Sequence, residues 1–96
     1  VIRIIMYLEI ISPEATLFSG EVISVSVPGL NGYFQMLNNH APIVSSLQKG
    51  NVTIEGDLQI SEEFKNKFEK VAGKTILKIE SGTIEMSKNK LILLSD

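Results

Sequence analysis

The chain has 96 residues, enough for one domain with a single core and too few for two. It is 44% hydrophobic and 21% charged with a net charge of −2, so it has no basic surplus to displace counterions from phosphates, which argues against nucleic acid as a partner. It has no cysteine, so neither a disulfide framework nor a thiolate zinc site can form.

The most apolar stretch, Val1–Ile11, is interrupted by Arg3 and Glu9. It falls short of the roughly 20 residues that a membrane-spanning helix needs, and Glu9 also spoils it as a signal peptide. Met6 reads as a natural start, with Val1–Ile5 as an upstream remnant or flexible N-terminus before a single domain over 6–96. Tyr7 to Ile11 alternates, with Leu8 and Ile10 on one face and Glu9 on the other, and Ser12-Pro13 ends the strand. Thr16–Ser19 is a second extended piece, turned by Gly20. From Glu21 to Val27 the period is two: Ile23, Val25 and Val27 point one way, Ser24 and Ser26 the other, until Pro28. A sheet with one buried face requires that pattern.

Pro28 to Pro42 reads P-G-L-N-G-Y-F-Q-M-L-N-N-H-A-P. Gly29 and Gly32 bracket Leu30-Asn31 as a tight turn, Tyr33–Leu37 is a short strand, and Asn38-Asn39-His40 is a polar tip closed by Ala41-Pro42. Two polar loops therefore flank one apolar strand, and the second holds the only histidine. Ile43–Leu47 and Asn51–Ile54 follow as strands around Gln48-Lys49-Gly50, and Gly56-Asp57 turns the chain before Leu58-Gln59-Ile60.

Residues 61–72 change character. Ser61 can cap a helix, Glu62 and Glu63 suit its first turn, and Gly73 can end it. Phe64, Phe68 and Val71 then share one face of an amphipathic helix of about three turns, with a hairpin excursion as the competing reading. Thr75, Leu77 and Ile79 alternate, Ser81-Gly82 turns the chain, and Ile84 and Met86 alternate again. Leu91–Leu94 is a continuous apolar run, predicted to be covered on both sides or packed on a partner. The pattern predicts an all-β fold: a flattened two-sheet β-sandwich of about eight to ten short strands, with one short helix at 61–72.

Residues that could carry chemistry are few. No serine sits in a G-x-S-x-G elbow, no G-x-x-x-x-G-K-[ST] loop can cradle phosphates, and His40 stands alone. Glu62 and Glu63 are adjacent and on a helix would diverge by about 100°, which suits helix-start electrostatics rather than acid–base work. The chain reads as non-catalytic, with no cofactor and no metal. Phe34 and Met36 read as core, whereas Tyr33 beside a glycine turn reads as an interface anchor. Two uses stay open: a protein-docking surface, or a freestanding module binding a small ligand or saccharide through Tyr33, Asn38, Asn39 and His40.

The order and spacing of several motifs resemble the epsilon subunit of the rotary F-type ATP synthase over nearly the whole chain after Met6. Leu8 to Glu14 resembles that family's opening strand and S-P-E turn, and Leu17-Phe18-Ser19-Gly20-Glu21-Val22 its L-F-x-G-x-V segment. Pro28-Gly29 with Gly32–Leu37 resembles its sheet-end loop, and His40-Ala41-Pro42 followed by Leu47 and Gly50 its H-A-P-L and L-x-x-G. Ser81–Met86, then Asn89 and Leu93–Asp96, resemble its G-G-x-x-E-V and N-x-V-x-x-L-A-D close.

The resemblance implies a non-catalytic central-stalk rotor subunit that binds the gamma subunit and the c-subunit ring and couples proton- or sodium-driven rotation to ATP synthesis. It implies a monomeric domain, peripheral on the cytoplasmic face of the bacterial inner membrane and reaching the membrane only through the ring. Family positions at the ring-facing end match Asn31, Tyr33, Asn39 and His40; those near gamma match Ser12, His40, Ala41 and Pro42. Four departures accompany it. Gln35 and Tyr33 stand where the family usually has glycine and an acidic residue, 57–72 is longer or more helical, and the chain stops before the family's C-terminal helical hairpin.

Overall fold

Ten strands form among residues 6–96, the part of the chain that this computed structural model describes. The expected remnant, Val1–Ile5, lies outside the described residues. The strands are β1 (Met6–Ile11), β2 (Thr16–Val22), β3 (Ser24–Gly29), β4 (Gly32–Leu37), β5 (Ile43–Leu47), β6 (Gly50–Glu55), β7 (Phe68–Val71), β8 (Lys74–Ile79), β9 (Gly82–Ser87) and β10 (Lys90–Ser95). They pair in the order β2-β1-β10-β9-β5-β3-β6-β8-β7, with β4 on the outer side of β3. β1 and β10 run parallel, and every other pair is antiparallel. Gly29 of β3 pairs with Leu47 of β5 where the curled sheet passes from one layer to the other.

Alternate side chains point to opposite faces of a strand, so each layer turns one apolar row inward. Leu8, Ile10, Ile84, Met86, Leu91 and Leu93 come from the first layer, and Val25, Val27, Met36, Val52, Ile54 and Leu77 from the second. The all-β sandwich expected from the sequence is the fold observed.

Four local expectations are corrected. Gly20 does not turn the chain: β2 runs through it, Gly20 pairs with Leu8, and a Cβ there would lie 3.0 Å from the Phe18 ring. Ile23 points outward at 42% exposed, because the strand breaks there and its N–H donates to the Glu55 carbonyl at 2.7 Å. Ser24 keeps to the face opposite Val25, as expected, but is buried there, donating its hydroxyl to Glu55 Oε1 at 3.1 Å. Of the two readings of Leu91–Leu94, coverage on both sides within this chain does not hold: Leu91 and Leu93 are fully buried, but Leu94 is 48% exposed on the outer face.

The fourth correction concerns 61–72. The helix is only a 3-10 segment over Glu62–Lys67, and Ser61 makes no side-chain cap. From Phe68 the chain becomes β7, and Ala72-Gly73, at φ of +52° and +80°, is a two-residue hairpin turn into β8. Phe68 pairs with Leu77 across that hairpin, so Phe64, Phe68 and Val71 never share a helical face. Leu58 is buried in the core from an irregular segment that precedes the 3-10 turn.

Candidate functional site

The two loops singled out by the sequence sit at opposite ends of β4. The Leu30-Asn31 turn leads into the strand and Asn38–Pro42 leaves it. Six residues of strand separate the two, a span of about 20 Å at roughly 3.3 Å per residue.

At the first end, each glycine of the turn has its own reason. Gly32 supplies a φ of +120°, which side chains resist. Gly29 gives room, since a Cβ there would lie 2.7 Å from the Phe34 ring and 2.9 Å from the Gly32 carbonyl oxygen. The turn projects Leu30 and Tyr33, 62% and 58% exposed, beside Asn31.

Tyr33 is nevertheless held. Its hydroxyl accepts the Asn51 N–H at 2.9 Å, and a Cβ on Gly50 would come within 2.6 Å of that oxygen. The Gln48 N–H donates to the Pro28 carbonyl at 2.9 Å and Gln48 Nε2 to the Gly29 carbonyl at 3.0 Å. These bonds fasten the β3–β4 hairpin to the β5–β6 turn. They leave the ring face of Tyr33 in solvent and its hydroxyl proton free for one outgoing bond. A cleft of about 370 Å³ lies against the turn, lined by Leu30, Asn31, Tyr33 and Ser45 among others.

Ser12 belongs to this same end. The pairs Ile11–Leu94, Ser95–Gly82, Gly82–Leu47 and Leu47–Gly29 trace one transverse row from Ser12 to the hairpin. Ser12 closes its own turn, its N–H donating to the Ala15 carbonyl at 2.8 Å. Four strand spacings put it about 19 Å from Gly29 measured along the sheet.

At the other end, the His40 N–H donates to the Leu37 carbonyl at 3.0 Å and Asn39 sits at φ +64°. This is the arrangement of a turn whose third residue must be left-handed, a position that asparagine tolerates. His40 Nδ1 lies 2.7 Å from the Ala41 carbonyl oxygen. A carbonyl only accepts, so Nδ1 is the donor in this contact. Ala41 and Pro42 continue the loop in solvent.

The β9–β10 turn abuts this loop. Asn89 Oδ1 accepts the Asn39 N–H at 2.7 Å, and Asn89 Nδ2 donates to Asn38 Oδ1 at 2.8 Å. The Asn89 carbonyl also accepts the Tyr7 N–H at 2.9 Å.

The fold thus divides each predicted set. Asn31 and Tyr33 lie at one end, Asn39 and His40 at the other; Ser12 lies at the end away from His40, Ala41 and Pro42. The alternative saccharide site is divided too, because Tyr33 is remote from Asn38, Asn39 and His40. Sequence reasoning missed the contributions of Asn51 and of the Asn89 side chain. Lys88-Asn89, at φ +51° and +61°, is a left-handed pair, and an Asn in a short polar connection is its only local signal.

Among the described residues no cluster of three or more histidine, cysteine or acidic side chains is suited to a metal, and no helix is long and apolar enough to cross a membrane.

Comparison with known proteins places this geometry among relatives. The family described as ATP synthase, Delta/Epsilon chain, beta-sandwich domain, matches residues 5–96. An ATP synthase epsilon chain of Chlorobium limicola is 39% identical over 89 residues, 93% of this chain and 86% of that one. One from Chlorobaculum tepidum has the same identity and coverage. That of Leptospira interrogans is 38% identical over 87 residues, 91% of this chain but 58% of its own length. A chain in the cryo-EM structure of the Tetrahymena thermophila mitochondrial ATP synthase central stalk and c-ring superposes with a TM-score of 0.64 over 94% of this chain and 62% of that one. At 14% identity, that last likeness speaks for the fold alone.

Proposed function

Because this chain belongs to the delta/epsilon β-sandwich family of ATP synthase, we propose that it works as a non-catalytic rotor element of the central stalk, fixed to gamma and resting on the c-ring. One observation carries the reading: two exposed loops are held by hydrogen bonds at opposite ends of one packed body. The Asn31–Tyr33 end is the ring-facing surface, with Leu30 and the Tyr33 ring as apolar anchors among polar neighbours. The Asn39–Pro42 end faces gamma, His40 offering Nε2 beside the exposed Ala41 and Pro42.

The work is mechanical. A close-packed interior deforms little under load, so a sandwich gripped at both ends passes torque from ion-driven rotation of the ring to gamma. The body over 6–96 acts as one unit and reaches the membrane only through the ring, on the cytoplasmic face of the bacterial inner membrane. Reconstitution tests this. The chain, purified gamma and a detergent-solubilised c-ring are expected to elute together on size exclusion, and retention of the chain by neither partner would overturn the proposal.

A further inference from the structure

We infer that Asn89, through its side chain, is the positioning residue that holds the Asn38–His40 turn in the form a protein partner reads. The inference rests on the gamma-facing role proposed for that loop.

Asn39 occupies a left-handed backbone conformation that a residue with a Cβ adopts reluctantly, and it is itself exposed between half-buried neighbours. Left to itself, such a turn exchanges conformers, and a partner that needs one of them binds more weakly by the fraction populated. The Asn89 amide removes that freedom. Its oxygen accepts the Asn39 N–H at 2.7 Å, while its nitrogen donates to Asn38 Oδ1 at 2.8 Å and lies 3.4 Å from Asn39 Oδ1. Both polar atoms of one side chain therefore engage consecutive residues of a loop 50 positions away.

Asn89 is itself anchored. It lies in the two-residue turn between β9 and β10, and its carbonyl accepts the Tyr7 N–H of β1 at 2.9 Å. The loop that crosses from β4 in one layer to β5 in the other is thereby tied to a turn of the first layer. Main-chain and side-chain functions of Asn89 are separable: the carbonyl serves the sheet, the amide serves the loop.

That separation gives the test. Asn89→Gly keeps the left-handed turn and the carbonyl but deletes the amide; Asn89→Asp keeps an acceptor for the Asn39 N–H, and the Asn38 amide can turn to donate to it. Amide hydrogen exchange at Asn39 and gamma affinity are measured for both variants and for His40→Ala.

We expect Asn39 exchange to rise at least tenfold in Asn89→Gly and gamma affinity to fall about tenfold, with exchange in the core strands unchanged. Asn89→Asp is expected to restore protection and to bind within about threefold of the parent. Unaltered Asn39 exchange in Asn89→Gly overturns the inference. So does faster exchange with full gamma affinity while His40→Ala binds poorly. Undiminished affinity in both Asn89→Gly and His40→Ala overturns the gamma-facing reading along with it.

Discussion

Leu93→Ala is expected to lower the unfolding free energy by about 3 kcal/mol, within the roughly 2–5 kcal/mol range for emptying a buried leucine site. Leu93 is fully buried in β10, which lies between β1 and β9 near the middle of the first layer. Its paired neighbours Ile10 and Ile84 are fully buried too, so little can move in to fill the cavity. For a domain of this size each kcal/mol shifts the melting temperature by about 4–8 °C, so the variant should melt roughly 12–24 °C lower.

Leu94→Ala is the matched control. The neighbouring side chain is 48% exposed on the outer face, and its loss should cost no more than about 1 kcal/mol. Thermal denaturation of the two variants reads the alternation of β10 directly. Equal destabilisation would mean that the run is covered on both faces after all.

The second large effect concerns docking. Tyr33→Asp is expected to weaken binding to the c-ring by roughly 30-fold and His40→Asp to weaken binding to gamma by a similar factor, about 2 kcal/mol each, as for an anchor residue at an interface. The two losses should be specific. Tyr33 and His40 are separated by the length of β4, with no shared hydrogen-bond partner, and independent sites give additive effects.

Neither variant should unfold the domain. Tyr33 is more than half exposed, and losing its hydroxyl leaves the exposed Asn51 N–H to water, at a cost of about 1 kcal/mol. Binding of each variant to each partner, measured alongside its melting curve, decides the matter. Tyr33→Asp abolishing gamma binding, or His40→Asp abolishing ring binding, would contradict the division of labour between the ends.

Much of the fold could be read from residues alone, because period-two patterns report burial directly. Leu8 and Ile10, Val52 and Ile54, Thr75, Leu77 and Ile79, and Ile84 and Met86 are all inward as the alternation requires. What failed was punctuation. Gly20 looks like a turn in one dimension, but its missing side chain makes room for the Phe18 ring inside a continuous strand. Ala72-Gly73 looks like the end of a helix because Phe64, Phe68 and Val71 happen to fall at helical spacing. The left-handed pair and the pairing of Phe68 with Leu77 made it a hairpin instead.

The loops were legible as loops and as polar, and the turn chemistry of Gly32 followed from composition. Their placement was not. That β4 holds Asn31 and Asn39 apart is implicit in any strand reading, yet the motif resemblance grouped them as one surface. The tie between Asn89 and Asn39 joins positions 50 residues apart, and nothing in local patterning signals a contact of that kind.

Whether one body grips different partners at its two ends is decided by crosslinking. A photoreactive group attached at Asn31→Cys is expected to label the c-ring, and the same group at Ala41→Cys to label gamma, in the reconstituted assembly. Both positions labelling the same partner, or the Asn31 probe labelling only gamma, would contradict it.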